Sequence, residues 1–221
     1  MKKAFNIYDY DSIAHKRDVF INRIGKRITV KGVKGNAFFL QKAHELILQS
    51  DQILEIGTGT GTIPLWLGHL EHSMICIDSS PNMIAIARKN CVQYPHVQFQ
   101  VADLHHLPFQ NDFFDLVLKR LAPDNLQEIS RVMRPEGSFL NLTNGERDGE
   151  ELRRMFDIPL HESVAAYRKK IITHRFRIIG EKEFVFQETY HAFADIIRVL
   201  EIAPLIPDCL GYAQYEQFRL Q

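Results

Sequence analysis

A glycine-rich turn between a predicted strand and a predicted helix is the feature that most limits the folds open to this chain. The turn runs from Gly57 to Gly61 with glycine at every second position, and it follows the short segment from Ile53 to Ile56. Apolar residues then recur at helical spacing from Ile63 to Leu70. Alternate glycines permit positive φ angles and a close approach of a ligand to the backbone, and a helix N-terminus favours a negatively charged group. The segment therefore predicts a strand, a ligand-binding turn and a helix within an α/β sheet.

Strand and helix patterns alternate along the chain on both sides of this turn, from about residue 39 to residue 144. Ser80 is a predicted N-cap with Pro81 at the first helical position, and residues 135–137 form a predicted turn. The predicted strands are 53–56, 74–77, 97–101, 113–118 and 139–142, and the predicted helices are about 39–47, 63–70, 81–87 and 123–133. This alternation is typical of a parallel sheet wrapped by helices. We therefore predict an α/β fold with a doubly wound, mostly parallel sheet and helices on both faces.

The charge of the chain is balanced, with 27 Lys and Arg against 27 Asp and Glu. Binding of a whole molecule to nucleic acid or to an anionic membrane needs a basic surplus, so neither is expected as a partner. The balance is uneven, because residues 1–34 carry nine Lys or Arg and only three Asp. This basic start keeps open one alternative, in which the N-terminal arm binds RNA.

The three cysteines are widely separated and form no C-x-x-C pair, so we predict neither a disulfide framework nor a zinc site. No apolar run approaches the ~20 residues that a membrane helix needs. Lys2 and Lys3 lead into polar residues, which is not the pattern of a secretory signal. We therefore expect a cytoplasmic protein without a bound metal.

The spacing within the turn distinguishes among nucleoside-binding loops. A dinucleotide fingerprint that begins at Gly57 requires glycine at position 62, which is Thr62, and a phosphate-binding P-loop requires a lysine that the turn lacks. The observed pattern is G-x-G-x-G with an acid, Glu55, two residues ahead of it.

This pattern resembles the first motif of the class I S-adenosylmethionine-dependent methyltransferases, E/D-x-G-x-G-x-G. Further segments resemble the same family in collinear order over roughly residues 8–144, and within it the small-molecule branch that includes the ubiquinone and biotin biosynthesis methyltransferases. These segments are Tyr10 to Ala14, Asp78 at the end of a strand, Val101 to Asp103 followed by Leu107 to Phe109, Phe113 to Val117, and Glu128 to Gly137. The resemblance implies a Rossmann-like sheet, an N-terminal helical lid and S-adenosyl-L-methionine as cofactor.

The resemblance also implies roles for individual residues. Asp78 would accept hydrogen bonds from the ribose hydroxyls, as an ionised carboxylate does well. Asp103 would accept from the adenine amino group, Leu104 and Phe109 would cover the ring, the turn N–H groups would bind the methionyl carboxylate, and Glu55 would lie near its ammonium group. The predicted cofactor-binding residues are Glu55, Gly57, Thr58, Gly59, Gly61, Asp78, Ser79, Met83, Ala102, Asp103 and Leu104.

The acceptor side is less constrained, and no catalytic residue is assigned. A sulfonium methyl group is already activated, so alignment and exclusion of water are the main requirements, and a base is needed only where a proton must leave. The acceptor-side candidates are Tyr10, Arg17, Lys119 and Arg120, with Tyr8, His15, His105, His106, Tyr190 and His191 as further members. Lys119, Arg120 and Arg17 would favour an acceptor that carries a carboxylate.

We divide the chain into an N-terminal lid segment, 1–36, a cofactor-binding core, 37–144, and a C-terminal part, 145–221, that completes the sheet and covers the acceptor pocket. In this last part we predict a helix at 163–172, strands at 176–179 and 184–186, and a helix at 192–202. The predicted function is methyl transfer to a small molecule. The alternatives are an RNA methyltransferase and a non-catalytic S-adenosylmethionine-binding protein. For the partner, a homodimer is an open alternative to a monomer.

Overall fold

The computed structural model of the 221-residue chain describes residues 28–32, 35–155 and 158–191. The predicted helix at 192–202 lies outside these residues. The strands are β1 Ile28–Gly32, β2 Ile53–Ile56, β3 Met74–Asp78, β4 Val97–Val101, β5 Phe114–Arg120, β6 Met133–Leu142 and β7 Phe186–Tyr190. The helices are α1 Gly35–Ile47, α2 Thr62–Leu67 with a 3₁₀ turn at Gly68–Leu70, α3 Pro81–Asn90, α4 Leu126–Val132, α5 Glu150–Met155 and α6 Val164–Thr173.

A five-stranded parallel sheet forms the centre of the molecule, in the order β4-β3-β2-β5-β6. The predicted α/β fold with a parallel sheet is thus confirmed. Successive strands run outward from β2 on one side and from β5 on the other, so the direction of winding reverses between these two strands. In such sheets, ligands bind in the crevice outside the carboxyl ends of the strands at this point. The glycine turn begins at this edge, because Gly57 directly follows β2.

Apolar side chains cover both faces of the sheet, because each strand sends successive residues to opposite sides. One face packs Ile53, Leu116 and Leu118 against α1 and α2. The other face packs Leu54 and Val117 against α4, together with the aromatic residues of the segment before β5. Burial on both faces explains why the inner strands β2 and β3 are largely apolar in sequence, whereas β4 at the edge of the sheet alternates with glutamine.

The fifth strand of the sheet, β6, begins earlier than the sequence predicts. The turn predicted at 135–137 lies inside the strand as an irregularity, where pairing with β5 shifts between Phe114 and Leu116. Glu136 adopts a φ angle of 64° there. A Cβ atom at Gly137 would lie 2.9 Å from the carbonyl oxygen of Arg134. The Pro-Glu-Gly sequence therefore bends a continuous strand and does not separate α4 from it.

The described part of the C-terminal region adds no strand to the central sheet. β7 pairs with β1 in a separate antiparallel ribbon, with Ile28 opposite Tyr190. The strand predicted at 176–179 does not form, because Phe176 turns inward against Phe139 at 5.6 Å between ring centroids while Ile179 is 83% exposed. The helix predicted at 163–172 is present as α6, and the Ser163 side chain caps it by accepting from Ala166 N. The division of the whole chain into three parts stays a prediction.

Candidate cofactor and acceptor site

The three glycines of the turn adopt left-handed backbone angles, with φ of 71° at Gly57, 55° at Gly59 and 85° at Gly61. Two of them also allow close packing. A Cβ atom at Gly57 would lie 2.4 Å from Ala122 Cβ, and one at Gly61 would lie 3.1 Å from Cys91 Sγ. A Cβ atom at Gly59 would meet nothing within 4 Å. Gly59 therefore leaves space on the outer side of the turn, where a ligand can approach the backbone.

Internal hydrogen bonds hold the turn in this shape. Ile77 O, in β3, accepts from Gly57 N at 2.9 Å and from Thr58 N at 3.0 Å, and Thr58 O accepts from Gly61 N at 3.0 Å. Asp78 Oδ2 accepts from Gly59 N at 2.9 Å. Four of the five N–H groups of the turn are thus satisfied inside the protein. If the turn donates to a methionyl carboxylate as predicted, the donor is the N–H group of Thr60. Otherwise one of the other four N–H groups must exchange its internal hydrogen bond for one to the carboxylate.

Asp78 connects the glycine turn to the start of the next helix. Its Oδ1 atom accepts from Ser80 N at 3.0 Å, while Oδ2 accepts from Gly59 N. The Ser80 hydroxyl caps α3 by accepting from Met83 N at 3.0 Å, as its position in the sequence predicts. A carboxylate oxygen accepts more than one hydrogen bond, so both oxygens retain capacity for further donors. Asp78 therefore orders the turn from the carboxyl edge of the sheet, and its role in binding hydroxyl groups stays a prediction.

Glu55 is a buried carboxyl group beneath the turn, with 2% of the residue exposed. Its Oε2 atom accepts from Thr58 Oγ1 at 2.7 Å, and it pairs in register with Cys76 on β3. Burial raises the pKa of Glu55 to about 7, because the charged form loses its hydration. A cation that reached this carboxyl would stabilise its ionised form.

The segment after β4 continues the same edge of the sheet. Ala102 N donates to Asp78 O at 3.1 Å, which fixes this segment beside the acidic residue. Ala102 and Leu104 pack partly buried against the apolar core. Asp103 is exposed, and its carboxylate accepts from His105 N at 2.9 Å in a local turn. Of the other predicted residues, Met83 is buried and Ser79 is exposed.

Arg131 holds the loop at residues 107–109, which follows the 102–104 segment. The sequence motif did not indicate this role. Its guanidinium group donates to Leu107 O at 2.9 Å and to Phe109 O at 2.8 Å, and it pairs with Glu128 at 2.7 Å. Glu128 in turn accepts from Leu107 N at 2.9 Å. Phe109 is thereby held edge-on against Phe114, with 5.0 Å between ring centroids. The Glu-x-x-Arg pair of α4 thus fixes the loop that borders the predicted adenine site.

Lys119, at the carboxyl end of β5, is 1% exposed. Its ammonium group donates to Ala122 O at 2.7 Å and lies 3.3 Å from Asp124 Oδ2. Burial lowers the pKa of Lys119, and the Asp124 carboxylate opposes this shift. The bond to Ala122 O ties Lys119 to the short loop over Gly57, and Asp124 matches its charge. The predicted role of Lys119 toward the acceptor stays a prediction. Arg120 is half-buried and donates to Asn36 Oδ1 at 3.3 Å.

The other acceptor-side candidates are scattered or lie outside the described residues. Tyr8, Tyr10, His15 and Arg17 are among the residues that the structure does not describe. His105 and His106 are exposed in the loop after β4. The hydroxyl of Tyr190 donates to Glu188 at 2.6 Å, and His191 lies 2.5 Å from Thr29 Oγ1, so both belong to the β1–β7 ribbon.

Comparison with known proteins identifies the family. Residues 53–137 match the family model described as a methyltransferase domain. The demethylmenaquinone methyltransferase of Leptospira interrogans is 32% identical over 179 residues, which cover 71% of this chain and 67% of that protein.

The chain belongs to the class I S-adenosylmethionine-dependent methyltransferases.

Two further proteins support this family and its fold. The uncharacterized methyltransferase YodH of Bacillus subtilis is 35% identical over 100 residues, which cover 41% of this chain and 42% of YodH. The chain thus matches less than half the length of that relative. The crystal structure of the YcgJ protein from Bacillus subtilis superposes with a TM-score of 0.54 at 19% identity, and it covers 62% of this chain and 68% of that chain. At this identity, the likeness shows the fold.

The cofactor of this family, S-adenosylmethionine, fits the residues that the structure brings together. Asp78 and the open side of Gly59 lie at one edge of the sheet, with Glu55 beneath the turn and the 102–104 segment beside Asp78. The polar side chains of this set are carboxyl groups, which accept hydrogen bonds from hydroxyl and ammonium groups, and the set includes no basic side chain that would pair with a phosphate. This suits an adenosine joined to an amino acid. The binding role of each of these residues stays a prediction.

Within the described ranges, no three His, Cys, Asp or Glu side chains lie close enough together to hold a metal ion. The described helices include none with the length and apolar character needed to span a membrane. Cys76 and Cys91 are buried free thiols.

Burial of Glu55 predicts a pH dependence of stability. A glutamate carboxyl ordinarily titrates near 4.5, and the pKa of Glu55 in the folded protein is about 7. Between these values the folded protein binds more protons than the unfolded chain, so the free energy of unfolding falls as the pH rises from about 4.5 to about 7. Thermal unfolding at a series of pH values should show this decline, and Glu55→Gln should reduce it. A decline of equal size in both proteins would show that other groups cause it.

Proposed function

We propose that this chain is an enzyme that transfers a methyl group from S-adenosylmethionine to a small-molecule acceptor. The observation that supports it most directly is the position of Asp78. Its two carboxylate oxygens tie the open glycine turn to the start of α3, at the carboxyl edge of the sheet and one strand away from the β2–β5 pair where the winding reverses. A carboxylate at this place, next to open space at Gly59, suits a ligand with vicinal hydroxyl groups.

The binding mode follows from the positions of the acidic groups. The ribose hydroxyls would donate to Asp78, and the adenine ring would lie along Ala102 to Leu104, which Ala102 N ties to Asp78 O. The amino-acid end would then extend over Gly59 toward Glu55. A bound ammonium group would favour ionisation of Glu55, and the proton that Glu55 loses would be released to solvent.

The chain's own contribution to the reaction is alignment and exclusion of water. When bound, S-adenosylmethionine supplies a methyl group that its positively charged sulfur already activates. The short loop after β5 closes over the glycine turn, because Ala122 lies against Gly57 and Lys119 holds the Ala122 carbonyl. A fixed loop at this place would orient the acceptor for in-line attack, and proximity of this kind accounts for much of the acceleration in bimolecular reactions.

The acceptor is proposed to be a small molecule. The Leptospira relative, over two thirds of its length, is named for transfer to demethylmenaquinone, which is a small molecule. On this chain, the end of β5 carries a buried and paired lysine, which does not offer a positive charge to a nucleic-acid phosphate. No described feature favours the alternatives of RNA methylation or of cofactor binding without transfer.

Transfer from tritium-labelled S-adenosylmethionine tests the proposal. The protein is incubated with a metabolite extract and, separately, with total RNA. Label is expected in a small molecule and not in RNA. The Asp78→Ala variant, used at a low cofactor concentration, should lose the label from the small molecule. Label in RNA alone would refute the small-molecule proposal. Saturable cofactor binding without transfer to either would indicate a non-catalytic protein.

A further inference from the structure

A group of polar side chains at the carboxyl ends of β5 and β6 is not explained by cofactor binding. It consists of Lys119, Asp124, Asn141 and Tyr167, which we call the β5–β6 polar cluster. Tyr167 OH donates to Asp124 Oδ2 at 2.7 Å, and Asn141 Nδ2 donates to Tyr167 OH at 2.9 Å. Lys119 Nζ lies 3.3 Å from the same Asp124 oxygen. These residues come from two strands, a loop and α6, so the fold alone brings them together.

The hydrogen bonds determine which way the Asn141 amide points. Tyr167 has one hydroxyl proton, and Asp124, as a carboxylate, only accepts. The tyrosine proton therefore goes to Asp124, and the tyrosine oxygen accepts from the amide nitrogen of Asn141. The carbonyl oxygen of Asn141 must then face away from Tyr167.

The carbonyl oxygen of Asn141 has no hydrogen-bond partner. It is buried, and it is the one buried side-chain nitrogen or oxygen atom in this state among the residues that the structure describes. An unpaired buried acceptor is destabilising, because the group has lost its hydrogen bonds to water and has gained none in the protein. Buried polar atoms are rarely left unpaired in folded proteins, so each such atom calls for an explanation.

The position of Asn141 suits contact with the methyl acceptor. Asn141 pairs in register with Lys119, and Lys119 pairs with Ile56, the residue before the glycine turn. Neighbouring strands are about 4.8 Å apart, which places Asn141 about 10 Å from Ile56 along the carboxyl edge of the sheet. A small molecule next to the bound cofactor would span this distance.

We propose that Asn141 Oδ1 accepts a hydrogen bond from a hydroxyl or N–H group of the methyl acceptor and so selects which acceptors bind. This inference rests on the proposed function. An ionised carboxylate has no proton to donate, and the charge of Lys119 is matched by Asp124, so the cluster favours a neutral donor over a carboxylate-bearing acceptor. Because Oδ1 is shielded from solvent, acceptor binding must shift the groups that cover it.

Steady-state kinetics of the Asn141→Leu variant test this role. Leucine is similar in size to asparagine but lacks the carbonyl oxygen and the amino group of the amide. The hydrogen bond from Tyr167 to Asp124 does not involve Asn141, so we expect it to remain. The acceptor is the metabolite fraction that takes label in the transfer experiment, and mass spectrometry identifies its methylated product. We expect KM for this acceptor to rise about fivefold, which is the effect expected from losing one hydrogen bond between uncharged groups. We expect the affinity for S-adenosylhomocysteine and the circular dichroism spectrum to stay unchanged.

Asn144→Leu is the matched control. Asn144 lies three residues further along the chain, and its amide contacts His161 at 3.5 Å, away from the β5–β6 polar cluster. This substitution should leave KM unchanged. An unchanged KM in Asn141→Leu would overturn the inference while the proposed function stands, and so would an acceptor that has neither a hydroxyl nor an N–H group. Absence of transfer by the wild-type protein to any small molecule would refute the proposed function and this inference with it.

Discussion

Replacing Gly59 by valine is expected to abolish cofactor binding while the fold is retained. Gly59 has a φ angle of 55°, and a Cβ atom there would meet nothing within 4 Å. The valine side chain would therefore enter the space assigned to the cofactor, and a β-branched residue would also resist the left-handed angle. We expect affinity for S-adenosylhomocysteine to fall by about a hundredfold or more, equivalent to nearly 3 kcal/mol. Isothermal titration calorimetry measures the affinity, and far-UV circular dichroism checks the fold.

Two further variants separate loss of space from backbone strain. Asparagine tolerates left-handed backbone angles, so Gly59→Asn should bind poorly through occupied space alone. Gly180→Val is the matched control, because a Cβ atom at Gly180 also meets nothing within 4 Å and its φ angle is not positive. This control should bind the cofactor normally. Cofactor affinity close to that of the wild type in Gly59→Asn would mean that Gly59 serves the shape of the turn and does not face the ligand.

Replacing Asp78 by alanine is expected to weaken cofactor binding at least tenfold. The substitution removes the proposed acceptor of the ribose hydroxyls, and a hydrogen bond to a charged group contributes about 1.5–3 kcal/mol. It also releases Gly59 N and Ser80 N, whose bonds to Asp78 order the turn and the first residues of α3. Both effects act in the same direction. Calorimetry with S-adenosylhomocysteine measures the loss.

Asp115→Ala is the control for the backbone contribution. Like Asp78, the Asp115 carboxylate accepts from two backbone N–H groups, those of Asp51 and Gln52, and it also pairs with Arg134 at 2.5 Å. It lies near the amino end of β5, on the edge of the sheet opposite the glycine turn. Asp115→Ala should therefore lower the thermal unfolding midpoint without changing cofactor affinity. Unchanged affinity in Asp78→Ala would exclude Asp78 as a ribose ligand.

The strands of the central sheet were predictable because their signals are local. Ile53–Ile56 and Val97–Val101 match the predicted bounds, and Ser80 caps α3 as its type and position indicate. The predictions failed where a distant contact decides the conformation. Phe176 packs against Phe139 from β6, and this contact takes its segment out of the extended form that its composition favours.

The candidate site divides in the same way. Asp78 and Glu55 were predicted as site residues from motif and spacing, and the structure places them at the carboxyl edge of the sheet and beneath the turn. No local sequence pattern indicates that Asp124, Asn141 and Tyr167 form the β5–β6 polar cluster with Lys119. Asp124 and Tyr167, which share a hydrogen bond, are 43 residues apart along the chain. Lys119 is predicted to face the acceptor, and this role stays a prediction; the structure adds that its ammonium group is buried against Asp124, which no local pattern indicates.

The sequence by itself determined the class of fold, the glycine turn and the family. These depend on apolar periodicity, turn residues and short motifs, each of which acts over a few neighbouring residues. Only the tertiary structure decided that Gly57 and Gly61 serve packing while Gly59 faces open space, that burial raises the pKa of Glu55, and that the Asn141 carbonyl is left without a partner. The physical reason is that burial and hydrogen-bond partners are set by residues far away in the chain, which a local pattern does not contain.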